Sequence, residues 1–182
     1  CTFSNKEPFD CMHSGAIQTI ALPYKSNTNL FLLLSVVTKD APVQFFKTTV
    51  VTIGTSLCVM NHFNVPVYFR PSIPSLNDTN EFVNTCLPNK LTSIIYSGEN
   101  HQFDVYIEGY EKCRKVELVA QTTTVFRLLS QDESRPDFYI QLDVIKQKNG
   151  LCGHISYPTL PTPFVITNLL DNKIISAYQS NS

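Results

Sequence analysis

The sequence contains no tryptophan, only 6 glycines, few charges and no apolar run long enough to cross a membrane as a helix. Each absence excludes something. Without Trp there is no indole to pack on an inter-sheet disulfide, which argues against an immunoglobulin domain. So few glycines leave no room for a Gly-rich loop that cradles phosphates. The nearest approach to a membrane span runs from Thr48 to Phe69, but Asn61, His62, Asn64 and Pro66 interrupt it, so it reads as buried strands. Charged residues make up 16% of the chain, against about 25% in typical domains. The 14 basic and 15 acidic residues nearly cancel, at a net charge of −1. No global field therefore draws in nucleic acid or an anionic bilayer, and neither is expected as a partner.

What remains is a chain of 182 residues, 43% of them apolar, enough for one domain with a real core. Its patterning has the period of β-strands. Phe138, Ile140, Leu142 and Val144 alternate with Tyr139, Gln141 and Asp143, and Asn149-Gly150 follows in the position of a tight hairpin turn. Leu142 and Val144 should point inward, with Leu151 to Ile155 as the return strand. Val116, Leu118, Ala120, Thr122, Thr124, Phe126 and Leu128 share one parity, which predicts one long strand, bent or bulged near Ala120 and Gln121. Phe103, Val105 and Ile107 alternate with polar residues, and Ser97-Gly98-Glu99-Asn100 is read as the turn that folds this strand back onto Leu91 to Tyr96. Leu30 to Val37 is almost continuously apolar, as in a strand buried on both faces, and Thr48 to Ile53 is β-branched throughout. No segment joins a capping box to a sustained helical stripe, so little helix is expected.

Prolines mark two departures. Asn61 to Cys86 carries Pro66, Pro71 and Pro74 and reads as a long loop, with room for one short strand at Val67 to Phe69. Tyr157 to Pro163 holds three prolines and reads as a stiff connector. The expected organisation is a main β domain over residues 1–156, a connector over 157–163, and a terminal hairpin or the start of a second domain over 164–182. The fold class is all-β, an antiparallel β-sandwich stapled by disulfides, with a closed β-barrel as the alternative. Cys11-Met12-His13-Ser14-Gly15-Ala16-Ile17, with Pro23-Tyr24 after it, resembles the start of a CUB-like domain. No functional residue is carried over from that resemblance.

Cys1, Cys11, Cys58, Cys86, Cys113 and Cys152 are widely spread, and none forms a C-x-x-C metal or redox motif. Three intramolecular disulfides are the simpler reading. Asn77-Asp78-Thr79 is an N-glycosylation acceptor, and with the cysteines it places the chain in a secreted protein or on the extracellular side of the plasma membrane.

The motifs of catalysis and metal binding are sparse. Gly54-Thr55-Ser56 lacks the second glycine of a nucleophile elbow. His13, His62, His101 and His154 are far apart in sequence, and Cys152-Gly153-His154 has no local signature for further ligands, so neither metal nor cofactor is expected. The remaining signal is aromatic: Phe63, Tyr68 and Phe69, beside Arg70, sit in the proline-rich loop, and Tyr and Arg are favoured interface anchors. The leading expectation is a non-enzymatic recognition module, for example a receptor ectodomain, that binds an extracellular protein or glycan through these four residues. A barrel carrier of an apolar ligand ranks second, and a hydrolase with a dispersed site third.

Overall fold

The computed structural model describes residues 15, 17–24, 27–43, 48–72, 82–97 and 102–159. The connector beyond 159, the terminal hairpin, the Asn77 sequon, Cys1 and Cys11 lie outside them. Among the described residues the chain is all-β with no helix, in strands β1 (Ile17–Tyr24), β2 (Asn27–Asp40), β3 (Thr49–Thr55), β4 (Leu57–Asn61), β5 (Val67–Pro71), β6 (Asn84–Cys86), β7 (Leu91–Ser93), β8 (Ile95–Ser97), β9 (Gln102–Tyr106), β10 (Cys113–Glu117), β11 (Thr122–Leu128), β12 (Phe138–Gln147) and β13 (Gly150–Ser156). They form three sheets: β1-β2-β3 with β8 also on β2, β10-β9-β5-β6, and β11-β12-β13-β4-β7. All pairings are antiparallel except β13 with β4, which runs parallel from Leu151 opposite Leu57 to Ile155 opposite Asn61. Among the described residues no sheet closes on itself into the barrel that was the alternative expectation.

One apolar cluster draws on the second and third sheets together. It includes Val67, Phe69, Phe103, Val105 and Val116 from one, and Leu57, Val59, Ile140, Leu142, Val144 and Ile155 from the other. The period of two explains the membership, since each strand gives alternate side chains to this cluster and the rest to its opposite face. Two buried asparagines hold the strand ends. Asn84 Nδ2 donates to the carbonyls of Phe69 (3.1 Å) and Ile95 (2.9 Å), and its Oδ1 accepts from Ile95 N–H (2.8 Å). Asn61 Nδ2 donates to Val65 and Cys86 carbonyls (2.9 and 2.8 Å) while its Oδ1 accepts from Phe63 N–H (2.9 Å), and this bends the chain so that Phe63 enters the core.

Sheets are joined where the chain crosses from one to the next. Ser56, between β3 and β4, donates its N–H to Leu33 of β2 (2.9 Å) and accepts from Leu151 of β13 (2.7 Å). Ile94, between β7 and β8, donates to Leu57 (2.9 Å).

The hairpin of β12 and β13 forms, with Leu142 and Val144 buried and Gln141 and Asp143 on the other face. Its turn falls one residue early, at Lys148-Asn149, with Gly150 already opposite Gln147. Gly150 (φ 154°) serves a close approach instead: a Cβ there would lie 2.0 Å from the Ser56 carbonyl oxygen.

Two other expectations are corrected. The predicted long strand is two strands, β10 and β11, in different sheets. Gln121 adopts a positive φ of 61° and donates its N–H to Val144 (2.8 Å), so the chain turns there. Leu91 to Tyr96 does not pair with the Phe103 strand: β7 joins β4, β8 joins β2, and β9 lies between β5 and β10. The proposed turn residues 98–100 lie outside the described residues. The short strand allowed at Val67 to Phe69 in the proline-rich stretch does form, as β5, which runs on to Pro71 and is an interior strand flanked by β6 and β9. Pro71 fits at its last position because it has no N–H to give, and Ser72 N–H bonds Gln102 in the next step (2.9 Å).

Candidate recognition face

The four candidate binding residues divide between two faces of β5 and its approach. Phe63 and Phe69 are wholly buried in the core cluster; Phe63 packs edge-on to Phe138 at 5.1 Å between ring centroids, and Phe69 edge-on to Phe103 at 6.1 Å. They hold the platform together and cannot touch a partner in this state. Tyr68 and Arg70 are half-buried on the opposite face.

The register decides what stands beside them. Tyr68 lies opposite Tyr106 and Arg70 opposite Asp104, so all four share the face that looks away from the core. The tyrosine rings stack at 5.0 Å with 16° between planes. The Lys112 ammonium sits 5.2 Å from the centre of the Tyr106 ring, close enough for a cation–π attraction. Asp104 accepts a hydrogen bond from Ser72 Oγ (3.1 Å), and Gln102 Nε2 donates to Glu117 (2.6 Å) at the end of the same stripe. Thr85 on β6 is exposed opposite Tyr68. On the edge strand β10, Arg114 and exposed Lys115, the latter at φ 59° in a bulge, add positive charge. Beneath it, burial and then the nearby Asp104 charge raise the Cys113 thiol above its ordinary value. The result is a polar face with two rigid aromatic anchors flanked by cations.

Tyr106 and Lys112 were not legible as site residues. Tyr106 shows in the sequence only as the polar-parity partner of Phe103 and Val105, and nothing local reveals that β9 lies next to β5.

The third sheet brings a second set together. On β4 and β13, Leu57, Val59 and Ile155 face the core, so Cys58, Cys152 and His154 face the other way. His154 meets His62, the residue after β4: Nε2 of His62 and Nδ1 of His154 are 3.1 Å apart, and the rings stack at 5.4 Å. Cys58 lies directly opposite Cys152. Burial pushes the Cys58 thiol up to about 12, with the Cys152 thiol beside it adding to the rise. Among the described residues no two cysteine sulfurs lie at bonding distance. Among the described residues no three His, Cys, Asp or Glu side chains converge to hold a metal ion, and no helix is long and apolar enough to cross a membrane. The Ser56 hydroxyl is buried and has no hydrogen-bond partner; His13 and His101 lie outside the described residues.

Comparison with known protein families and with curated proteins finds no match for this chain.

Proposed function

We propose that the protein is a non-enzymatic recognition module of the extracellular space, a β-sandwich that binds a protein or glycan partner on the face carrying Tyr68, Arg70, Tyr106 and Lys112. The sandwich reading is supported by the single apolar cluster to which the β10-β9-β5-β6 and β11-β12-β13-β4-β7 sheets both contribute. The observation that carries the functional reading is the Tyr68–Tyr106 stack with Lys112 against it, on an outward sheet face. Tyr anchors offer large, rigid, amphipathic contact area at little entropic cost, and Arg adds directional donors. The extracellular setting rests on the Asn77 acceptor and the six cysteines.

The test is a glycan array and flow cytometry on intact cells, each probed with tagged wild-type protein and with Tyr106→Ala and Arg70→Ala. At least one probe should bind the wild type, and each variant should weaken that binding by more than about fivefold, corresponding to roughly 1 kcal/mol, with an unchanged urea midpoint. Equal binding by wild type and variants would remove this face from the proposal.

A further inference from the structure

We propose that Cys58 and Cys152 form one disulfide bond with each other, a covalent tie across the only parallel ladder among the described residues. The register places them directly opposite, between the pairs Leu151–Leu57 and Gly153–Val59. Adjacent strands are about 4.8 Å apart, inside the roughly 4.4–6.8 Å that a disulfide requires between Cα atoms. Both side chains leave the same face, both are buried, and each thiol lies within interaction reach of the other.

The same geometry excludes Cys86 and Cys113 as partners for them. Cys86 belongs to the core cluster and Cys113 packs against it, on the far side of the β4–β13 ladder from Cys58 and Cys152. Nor do Cys86 and Cys113 pair with each other. They sit on the two edge strands of the order β10-β9-β5-β6, three strand spacings or about 14 Å apart, twice the disulfide limit. Of the 15 ways to pair six cysteines, fixing Cys58–Cys152 leaves three, and excluding Cys86–Cys113 leaves two.

The chemistry needs an oxidant, and a small-molecule disulfide such as oxidised glutathione supplies it. One protein thiolate attacks that disulfide and releases a first glutathione. The second thiolate then attacks the protein sulfur of the mixed disulfide and releases another, so two protein thiols and one oxidised glutathione become one protein disulfide and two glutathione thiols. Both sulfurs are buried in the folded ladder, so an oxidant reaches them most readily during folding, before the strands are covered.

The pairing rests on strand register and not on the extracellular location proposed above, so refolding in vitro tests it whatever the compartment. Reduced, unfolded protein is refolded in a glutathione redox buffer, alkylated, digested without reductant and mapped by mass spectrometry. The expected result is a Cys58 peptide joined to a Cys152 peptide, unchanged in Cys113→Ser. Closing a loop of this length should also raise Tm by about 10 °C over the reduced form, and Cys152→Ser should show no contribution from this bond. Alkylated Cys58 and Cys152 in the refolded wild type, or either one joined to a different cysteine, would overturn the pairing.

Discussion

Replacing Gly150 by alanine tests whether the β4–β13 ladder depends on a missing side chain. The added Cβ would stand 2.0 Å from the Ser56 carbonyl oxygen, 2.5 Å from its carbon and 2.6 Å from its Cα. All three are backbone atoms, so no side-chain rotation relieves the clash, and one strand has to move by more than 1 Å on the order of a normal contact distance. Ser56 is poorly placed to yield, because its N–H is bonded to Leu33 while its carbonyl accepts from Leu151. Overpacking costs roughly 1–3 kcal/mol, the lost hydrogen bond roughly 1 kcal/mol, and a φ that L-residues rarely adopt roughly 1 kcal/mol or more. The sum is about 4 kcal/mol, a large part of the roughly 5–15 kcal/mol that holds a domain folded. With a urea slope of about 2 kcal/mol/M, the midpoint should fall by about 2 M. Two further glycines calibrate the measurement. Gly54→Ala meets nothing within 4 Å and should change stability by less than about 0.5 kcal/mol. Gly153→Ala would touch only flexible ends, Leu142 Cδ1, Val59 Cγ2 and Leu118 Cδ2 at 3.1–3.4 Å, and should cost about 1 kcal/mol. A Gly150→Ala midpoint equal to that of Gly54→Ala would refute the reasoning.

Asn84→Ala removes three hydrogen bonds at a buried site and should destabilise by about 3 kcal/mol in urea unfolding. Asn61→Ala should cost a similar amount and, because its bonds seat Phe63, should also lower protection of the segment after β4 in hydrogen exchange. Asp137 is held below the ordinary carboxylate value by the Ser130 N–H and then by Arg127, whose guanidinium pairs with it. A lowered carboxyl pKa contributes stability that is present above about pH 4 and is lost as pH falls through the lowered value. Asp137→Asn should therefore flatten the acid limb of a Tm-versus-pH profile and leave its shape above pH 5 on the order of unchanged.

The parts of this fold that were legible in the sequence are those whose information is local. The β12–β13 hairpin showed because an alternating strand, a turn and a second strand are contiguous, and alternate burial along β9 followed from Phe103, Val105 and Ile107 alone. The irregularity near Ala120 and Gln121 was legible, but not that it parts two strands of different sheets, because the parity of Val116 and Leu118 continues through Thr122 and Leu128. Of β5, the start at Val67 to Phe69 was legible, but its run to Pro71 and its interior place were not, because the prolines around it mark a loop and its partners β6 and β9 are distant in sequence. Of the proposed recognition face, Tyr68 and Arg70 could be singled out by residue type, yet type alone grouped them with Phe63 and Phe69, which the core takes. Tyr106, Lys112 and the meeting of His62 with His154 depend on which strands are neighbours, a long-range property that no single segment contains.

The parallel pairing of β4 with β13 also orders events on the ribosome. β4 takes β7 on one edge soon after it is made, but its other edge waits for Leu151 to Ile155. About 94 residues separate Leu57 from Leu151, which at roughly 5–20 residues per second is a delay of about 5–20 s. During that interval an unsatisfied strand edge is available to other chains, and in any product that stops before Gly150 it stays so, which makes aggregation the expected fate of such truncated chains.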